Sequence, residues 1–207
     1  MLATEIERVD ATILERMDSK VPLIPQLAGH LIASGGKRMR PMMTIAGAML
    51  GSDDAAARAP AVKLATAVEF IHSATLLHDD VIDESKLRRG RDTANALWGN
   101  DAAVLVGDFL FARAFELMVE AGDMTVLGRL AAAAARITEG EIRQMAITGR
   151  PDTSEADYLD VIEGKTAVLF SAAAAAGIEI TGAGAAHVEA LRAVSYTHLT
   201  LPTKLSV

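Results

Sequence analysis

The sequence predicts an all-α protein, and three observations carry that reading. Alanine, the strongest helix former and a poor strand former, supplies 39 of the 207 residues. Hydrophobic residues make up 51% of the chain but aromatic ones only 4%, the composition of helices packed closely on small side chains. Apolar positions also recur at helical spacing from the start: Ile6, Val9, Ile13, Leu14 and Met17 share one stripe, with Glu5, Glu7 and Asp10 off it.

The elements follow in order. Pro22 and Pro25 break the first helix before a short one over 27–33, and Ser34-Gly35-Gly36 is a turn signal. Pro41 lies near the entry of an apolar helix over 42–50, and Gly51-Ser52-Asp53-Asp54 forms a loop. Residues 61–84 contain neither Gly nor Pro and predict the longest helix, about 36 Å at 1.5 Å per residue. A loop carrying Gly90 comes next, then helices over 101–121, 124–148 and 154–176, the last two separated by Gly149-Arg150-Pro151. No repeat and no long linker divides the chain, so a single domain is expected.

Composition excludes several classes of function. A charged fraction of 23% and a mean hydropathy of +0.26 are inconsistent with disorder. The absence of cysteine removes disulfides, thiolate metal sites and cysteine nucleophiles, and fits a reducing compartment. A net charge of −7 argues against a nucleic-acid partner. The N-terminus is acidic where a secretion signal would be basic. The most membrane-like stretch, 167–186, is interrupted by Glu179 and reads as a buried core helix rather than a span. A cytoplasmic location is expected.

The chemistry concentrates in HDDVID, residues 78–83. Asp79 and Asp83, four apart on a helix, lie one above the other about 6 Å apart, and Asp80 sits at the edge of that face. Like charges at this spacing destabilise a helix, and hard oxygen ligands on one face suit Mg²⁺, which fills its other sites with water and substrate phosphate. Taken alone, the motif reads equally as a solvated acidic face. Two basic clusters shift that balance: Lys37, Arg38 and Arg40 in GGKRMRP, and Lys86, Arg88, Arg89 and Arg91 in KLRRGR. The first follows a double glycine at a helix entry, where backbone amides approach anions, and arginine forks bind phosphate bidentately. Together the acidic and basic groups point to a diphosphate site. His72, two turns before Asp79, reads by itself as an ordinary core or surface histidine. Lys165, followed by Thr166 in an apolar helix, either snorkels to solvent or reaches a central cavity.

GGKRMRP (35–41), EFIHSATLLHDDVIDES (69–85), LRRGRDTANALWGN (87–100), VLVGDFLFARAF (104–115), EGEI (139–142) and GKTAVLF (164–170) together resemble the trans-type polyprenyl diphosphate synthases over roughly residues 5–190. The resemblance implies an isoprenoid-synthase helical bundle around a central cavity, paired as a homodimer in the complete protein. It also implies Mg²⁺-dependent condensation of isopentenyl diphosphate with an allylic diphosphate. By the family pattern, Asp79 and Asp83 hold Mg²⁺ with Asp80 in support. Lys37, Arg40, His72 and Arg89 grip isopentenyl diphosphate, while Arg88, Lys165 and Thr166 contact the allylic substrate. A bulky aromatic five residues before the first aspartate stops elongation early in some members. Here that position is Ala74, next to Thr75, which resembles the long-chain synthases, although Ala74 reads also as a site of close helix packing.

The family's second aspartate-rich motif has no counterpart after residue 160, where the chain instead ends VSYTHLTLPTKLSV. This segment lacks a helical stripe and is expected to be a non-native tail (194–207) on a partial domain (1–193). On that reading the chain turns over poorly, and the 167–178 helix exposes a large apolar patch. Two alternatives stand beside it: a non-catalytic fragment or subunit, and an HD-type metal phosphohydrolase built on His78-Asp79, which lacks a second His-Asp pair.

Overall fold

A computed structural model describes the backbone of residues 2–33 and 36–200, and their side chains except those of 28, 31–33 and 195–200. Gly35 of the double glycine and residues 201–207 of the terminal segment lie outside the described residues. The fold is all-α. The helices are α1 (Leu2–Arg16), α2 (Leu23–Ala33), α3 (Met39–Gly51), α4 (Ala55–Arg58), α5 (Ala61–Ile82), α6 (Ala94–Trp98), α7 (Asn100–Ala121) and α8 (Met124–Ile147). They continue with α9 (Glu155–Ile162), a π-helical turn (Glu163–Ala167), α10 (Val168–Glu179) and α11 (Ala185–Thr200). Two short strands, β1 (Leu87–Arg88) and β2 (Arg91–Asp92), pair antiparallel where the sequence reads as a plain loop.

The chain forms two compact units, each assembled from two separated stretches: residues up to Met42 with Val62–Gly122, and Met43–Ala61 with the residues from Asp123 on. No linker divides them, so the sequence carries no boundary signal. In the first unit α5 is the central element, with Leu64, Ala65, Ala67, Val68, Phe70, Ile71 and Ala74 all at most 1% exposed. From α1, Val9 and Ile13, with Met17 just after its end, are buried as their stripe predicts, but Leu14 is 58% exposed, because it lies at the edge of a stripe narrower than the sequence pattern. Arg16 grips Glu120 of α7 through both terminal nitrogens at 2.7 Å. A Cβ added at Gly107 of α7 would come within 2.2 Å of His78 Nε2, so the glycine is what admits the imidazole.

The second unit is built on small residues. A Cβ on Gly177 of α10 would lie 1.9 Å from the Thr44 carbonyl oxygen of α3, and one on Gly47 would lie 2.5 Å from that of Ala174. The two backbones therefore touch. On another side α11 covers α10, with Val188 packed among Ala175 and Ile178, and Arg129 of α8 pairs with Glu179 at 2.7 Å. Leu169, Ala172–Ala176 and Ile178 are at most 6% exposed. This corrects the expectation that α10 exposes a large apolar patch: alanine and glycine let three neighbours close around it. The helical segment Glu155–Glu179 is long and apolar enough to cross a membrane, yet most of its apolar window is buried inside the protein. α11 continues to Thr200 without an apolar stripe, its backbone helicity propagating from the docked first half.

Gly177→Ala should destabilise the protein by about 2–3 kcal/mol or more, because the obstacle is backbone rather than a movable side chain. Gly128→Ala, at an α8 position with open space around it, should instead stabilise by roughly 0.5–1 kcal/mol. Urea unfolding of both variants checks the pair.

Candidate active site

Three carboxylates stand at the C-terminal end of α5, where the helix dipole already gathers negative charge. The Asp83 amide donates to the Asp79 carbonyl at 2.8 Å, so the helical register that places both on one face persists through Asp83. The helix then stops in a Schellman arrangement. The Ser85 amide donates to the Asp80 carbonyl at 2.9 Å and the Glu84 amide to that of Val81 at 3.2 Å, with Glu84 at φ 50°, a left-handed position usually filled by glycine.

The three aspartates differ in environment. Asp83 is exposed, Asp79 half-buried and Asp80 4% exposed. Arg88 clamps Asp80: its Nε donates to both carboxylate oxygens at 3.0 Å, and an NH2 nitrogen donates to Oδ1 at 2.8 Å. This hydrogen bond and the charges of Asp80, Asp79 and Asp83 raise the Arg88 pKa above its ordinary value. Asp80 therefore positions a cation, while Asp79 and Asp83 present oxygen donors four residues apart. Among the described residues no group of three or more His, Asp or Glu is placed to hold a metal ion. Two carboxylates at a helix end fit Mg²⁺, which takes one or two and completes its octahedron with water and substrate phosphate.

Arg88 is aimed by the hairpin that carries it. Between Arg88 and Arg91, which pair across the strands, Arg89 and Gly90 both have positive φ (54° and 78°), as in a two-residue turn whose twist matches its strands. Thr93 Oγ1 donates to the Ser85 carbonyl at 2.7 Å, and Asn95 Nδ2 donates to the Asp80 and Ser85 carbonyls at 3.1 Å. These two side chains, which sequence reasoning missed, pin the hairpin to the helix end.

His72 reports where the cations converge. Its pKa is depressed to about 3, first by burial and then by the charges of Arg40, Arg89, Arg88 and Arg38. The imidazole is therefore neutral and offers a hydrogen bond rather than a charge. Burial lowers Arg40 to about 10, opposed by the carboxylate of Glu69. Lys37 is exposed. Ala74 is fully buried, and the Thr75 hydroxyl donates to the His72 carbonyl at 2.7 Å.

Lys165 and Thr166 belong to the second unit, on the π-helical turn, a distortion that the sequence did not predict and that recurs at functional sites in helices. Thr166 is exposed. Lys165 Nζ neither snorkels nor stands alone: it donates to Gln144 Oε1 at 2.7 Å and pairs with Glu141 Oε2 at 2.7 Å. Glu141 lies in the EGEI motif, and Gln144 three residues on shares its helix face, the signal by which both could have been found. Gly140 and Gly164 bring the two helices together, since a Cβ on Gly140 would be 3.1 Å from the Lys165 amide nitrogen. His78 turns toward α7, with Nε2 3.2 Å from the Val104 carbonyl and 3.5 Å from Asp108.

The chain belongs to the polyprenyl synthetase family, whose model matches residues 21–198, and this removes the phosphohydrolase alternative. The octaprenyl diphosphate synthase of Haemophilus influenzae is 44% identical over 189 residues, which cover 91% of this chain and 56% of that protein. The Escherichia coli octaprenyl diphosphate synthase is 47% identical, covering 84% and 53%. Among solved structures, a decaprenyl diphosphate synthase from Rhodobacter capsulatus matches with a TM-score of 0.91 at 51% identity, covering 96% of this chain and 61% of that one. A polyprenyl synthase from Caulobacter crescentus, complexed with calcium and isoprenyl diphosphate, matches with a TM-score of 0.90 at 51% identity, covering 94% and 58%. The chain spans little more than half the length of the curated relatives it matches.

The His72 shift has a sign that can be checked. An unfolded histidine takes up its proton near pH 6.5, the folded one only near pH 3. Its contribution to stability is complete above pH 6.5 and is lost progressively as pH falls toward 3. Between pH 7 and 4.5 the thermal midpoint of the parent should fall more steeply than that of His72→Gln, and equal slopes would contradict the burial of His72 among cations.

Proposed function

We propose that the complete protein condenses isopentenyl diphosphate with an allylic diphosphate, yielding a long-chain all-trans polyprenyl diphosphate for isoprenoid and quinone side-chain synthesis. The observation that carries this reading is the α5 terminus, where Asp79 and Asp83 stand beside an arginine fixed by Asp80. The names of the relatives, octaprenyl, nonaprenyl and decaprenyl diphosphate synthases, support the long-chain product. Asp79 and Asp83 would hold Mg²⁺, which, when bound, neutralises charge on the diphosphate of the allylic substrate. The calcium and isoprenyl diphosphate bound by the Caulobacter relative support a divalent cation and a diphosphate here.

In the reaction the allylic carbon–oxygen bond breaks and the diphosphate leaves with the electron pair. Arg88, Lys165 and Thr166 would stabilise that departing charge by fixed donors. Lys37, Arg40, His72 and Arg89 would hold isopentenyl diphosphate so that its double bond attacks the allylic cation. A proton is then lost from the new bond's neighbour to the released diphosphate, and an apolar cavity keeps water from the cation. Ala74 and Thr75 would leave room for the growing chain.

The protein is proposed to be cytoplasmic and to act as a homodimer. On α7, Leu105, Phe115 and Val119 are 67%, 43% and 65% exposed on one side of the helix, an apolar stripe suited to a second copy. Residues 194–207 are proposed to lie outside the functional domain. A second reading, that the 207-residue chain folds but turns over poorly, is favoured by its having no aspartate after Asp160 to supply further metal ligands.

One experiment tests the reading. Full-length protein is incubated with Mg²⁺, farnesyl diphosphate and isopentenyl diphosphate, and the prenyl alcohols are chromatographed after hydrolysis. Asp79→Ala should lower turnover at least ~10²–10³-fold with an unchanged melting point, since the lost interaction acts on developing charge. Ala74→Phe should shift the products to shorter chains. Turnover within a few fold in the first variant, or an unchanged product distribution in the second, would contradict the respective assignment.

A further inference from the structure

Arg38 lies between the two cations read as diphosphate grips, Lys37 and Arg40, yet its guanidinium is turned into the protein. Its Nε donates to Asp10 Oδ1 of α1 at 2.9 Å, and an NH1 nitrogen donates to Glu69 Oε1 of α5 at 2.7 Å. The side chains of Arg38 and Glu69 are only 14% and 9% exposed. Arg38 also has φ 47°, a left-handed conformation that a non-glycine residue keeps only where its surroundings enforce it. Its carbonyl accepts the Met42 amide at 2.9 Å, so the same residue opens α3, whose first turn carries Arg40. Gly36 lies against the ion pair, since a Cβ there would be 3.4 Å from Arg38 NH1 and 3.8 Å from Glu69 Oε1. Glu69 acts on Arg40 as well, as the carboxylate that opposes the effect of burial on that guanidinium. One acidic side chain of α5 thus faces into the cationic cluster around His72, three residues away on the same helix face.

We propose that Glu69 and Asp10, acting through Arg38, are positioning residues that hold the 36–38 loop, and with it Lys37 and Arg40, in the geometry that receives isopentenyl diphosphate. The inference rests on the reading of Lys37 and Arg40 as the grips for that substrate. Two acids on different helices fix the loop before the ligand arrives, so binding spends less on ordering it. Glu69 also offsets the mutual repulsion of the guanidiniums while no diphosphate is present. The effect is local: Asp79 lies ten residues along α5 from Glu69, about 15 Å at 1.5 Å per residue, so the allylic side should be indifferent to the lock.

Calorimetric titration with each substrate alone, in Mg²⁺, tests this without requiring turnover. The proteins are the parent, Glu69→Gln, Asp10→Asn and Lys37→Ala, and the ligands are isopentenyl diphosphate and farnesyl diphosphate. Glu69→Gln should weaken isopentenyl diphosphate about 10-fold or more, and Asp10→Asn about 3-fold, with farnesyl diphosphate changed less than ~2-fold in both. The Asp10 side chain is 45% exposed, so its variant folds and decides the matter even where Glu69→Gln does not. Equal losses for both ligands would reduce the lock to a purely structural role and overturn the proposal. Parent-like binding of isopentenyl diphosphate by both acid variants, beside a loss in Lys37→Ala, would leave the grips standing and remove the relay. An unchanged affinity in Lys37→Ala would overturn the assignment of the grips, and the relay with it.

Discussion

The ion pair between the buried carboxylate of Asp80 and the partly exposed guanidinium of Arg88 is the contact on which the site depends. Electrostatics alone would disperse what gathers here: three carboxylates crowd the negative end of a helix, and the charges of four guanidiniums act on one imidazole. Asp80, nearly inaccessible to solvent, accepts three hydrogen bonds from Arg88 and so couples the two sets. Removing Arg88 would strand the buried carboxylate of Asp80, and the hairpin that carries Arg88 is also held through Thr93 and Asn95. The left-handed residues Glu84 and Arg89 flank the coupling on either side, and the hydrogen bonds around them keep those conformations in place.

Lys165 is held by a different device. Its helix changes register through a π-helical turn, and Gly140 and Gly164 let α8 approach closely enough for Glu141 and Gln144 to take the ammonium group. The contacts of Gly177 with Thr44 and of Gly47 with Ala174 are the same solution applied to the core.

Much of this was legible in the residues. Periodicity and alanine content predicted α5, α7 and α8 to within a few residues but neither the π-helical break before α10 nor the helix α11, and the four-residue spacing of Asp79 and Asp83 survives intact at the helix end. What escaped depends on contacts distant in sequence. The burial of α10 needed knowledge of what closes around it, and the exposure of Leu14 needed the width of the buried stripe. The β1–β2 hairpin was hidden because Arg89 fills a turn position where glycine or asparagine would have signalled it. The roles of Asp10, Glu69, Glu141 and Asn95 were invisible for a related reason: each is an ordinary polar residue until its partner is known.

The central claim is a division of labour in HDDVID, with Asp79 and Asp83 for a metal ion and Asp80 for Arg88. Anomalous diffraction from crystals grown with Mn²⁺ and farnesyl diphosphate tests it directly. The account predicts manganese density in contact with the carboxylates of Asp79 and Asp83, with Asp80 still bound to Arg88. Manganese ligated by Asp80 with Arg88 displaced, or diphosphate bound with no metal on α5, would contradict it.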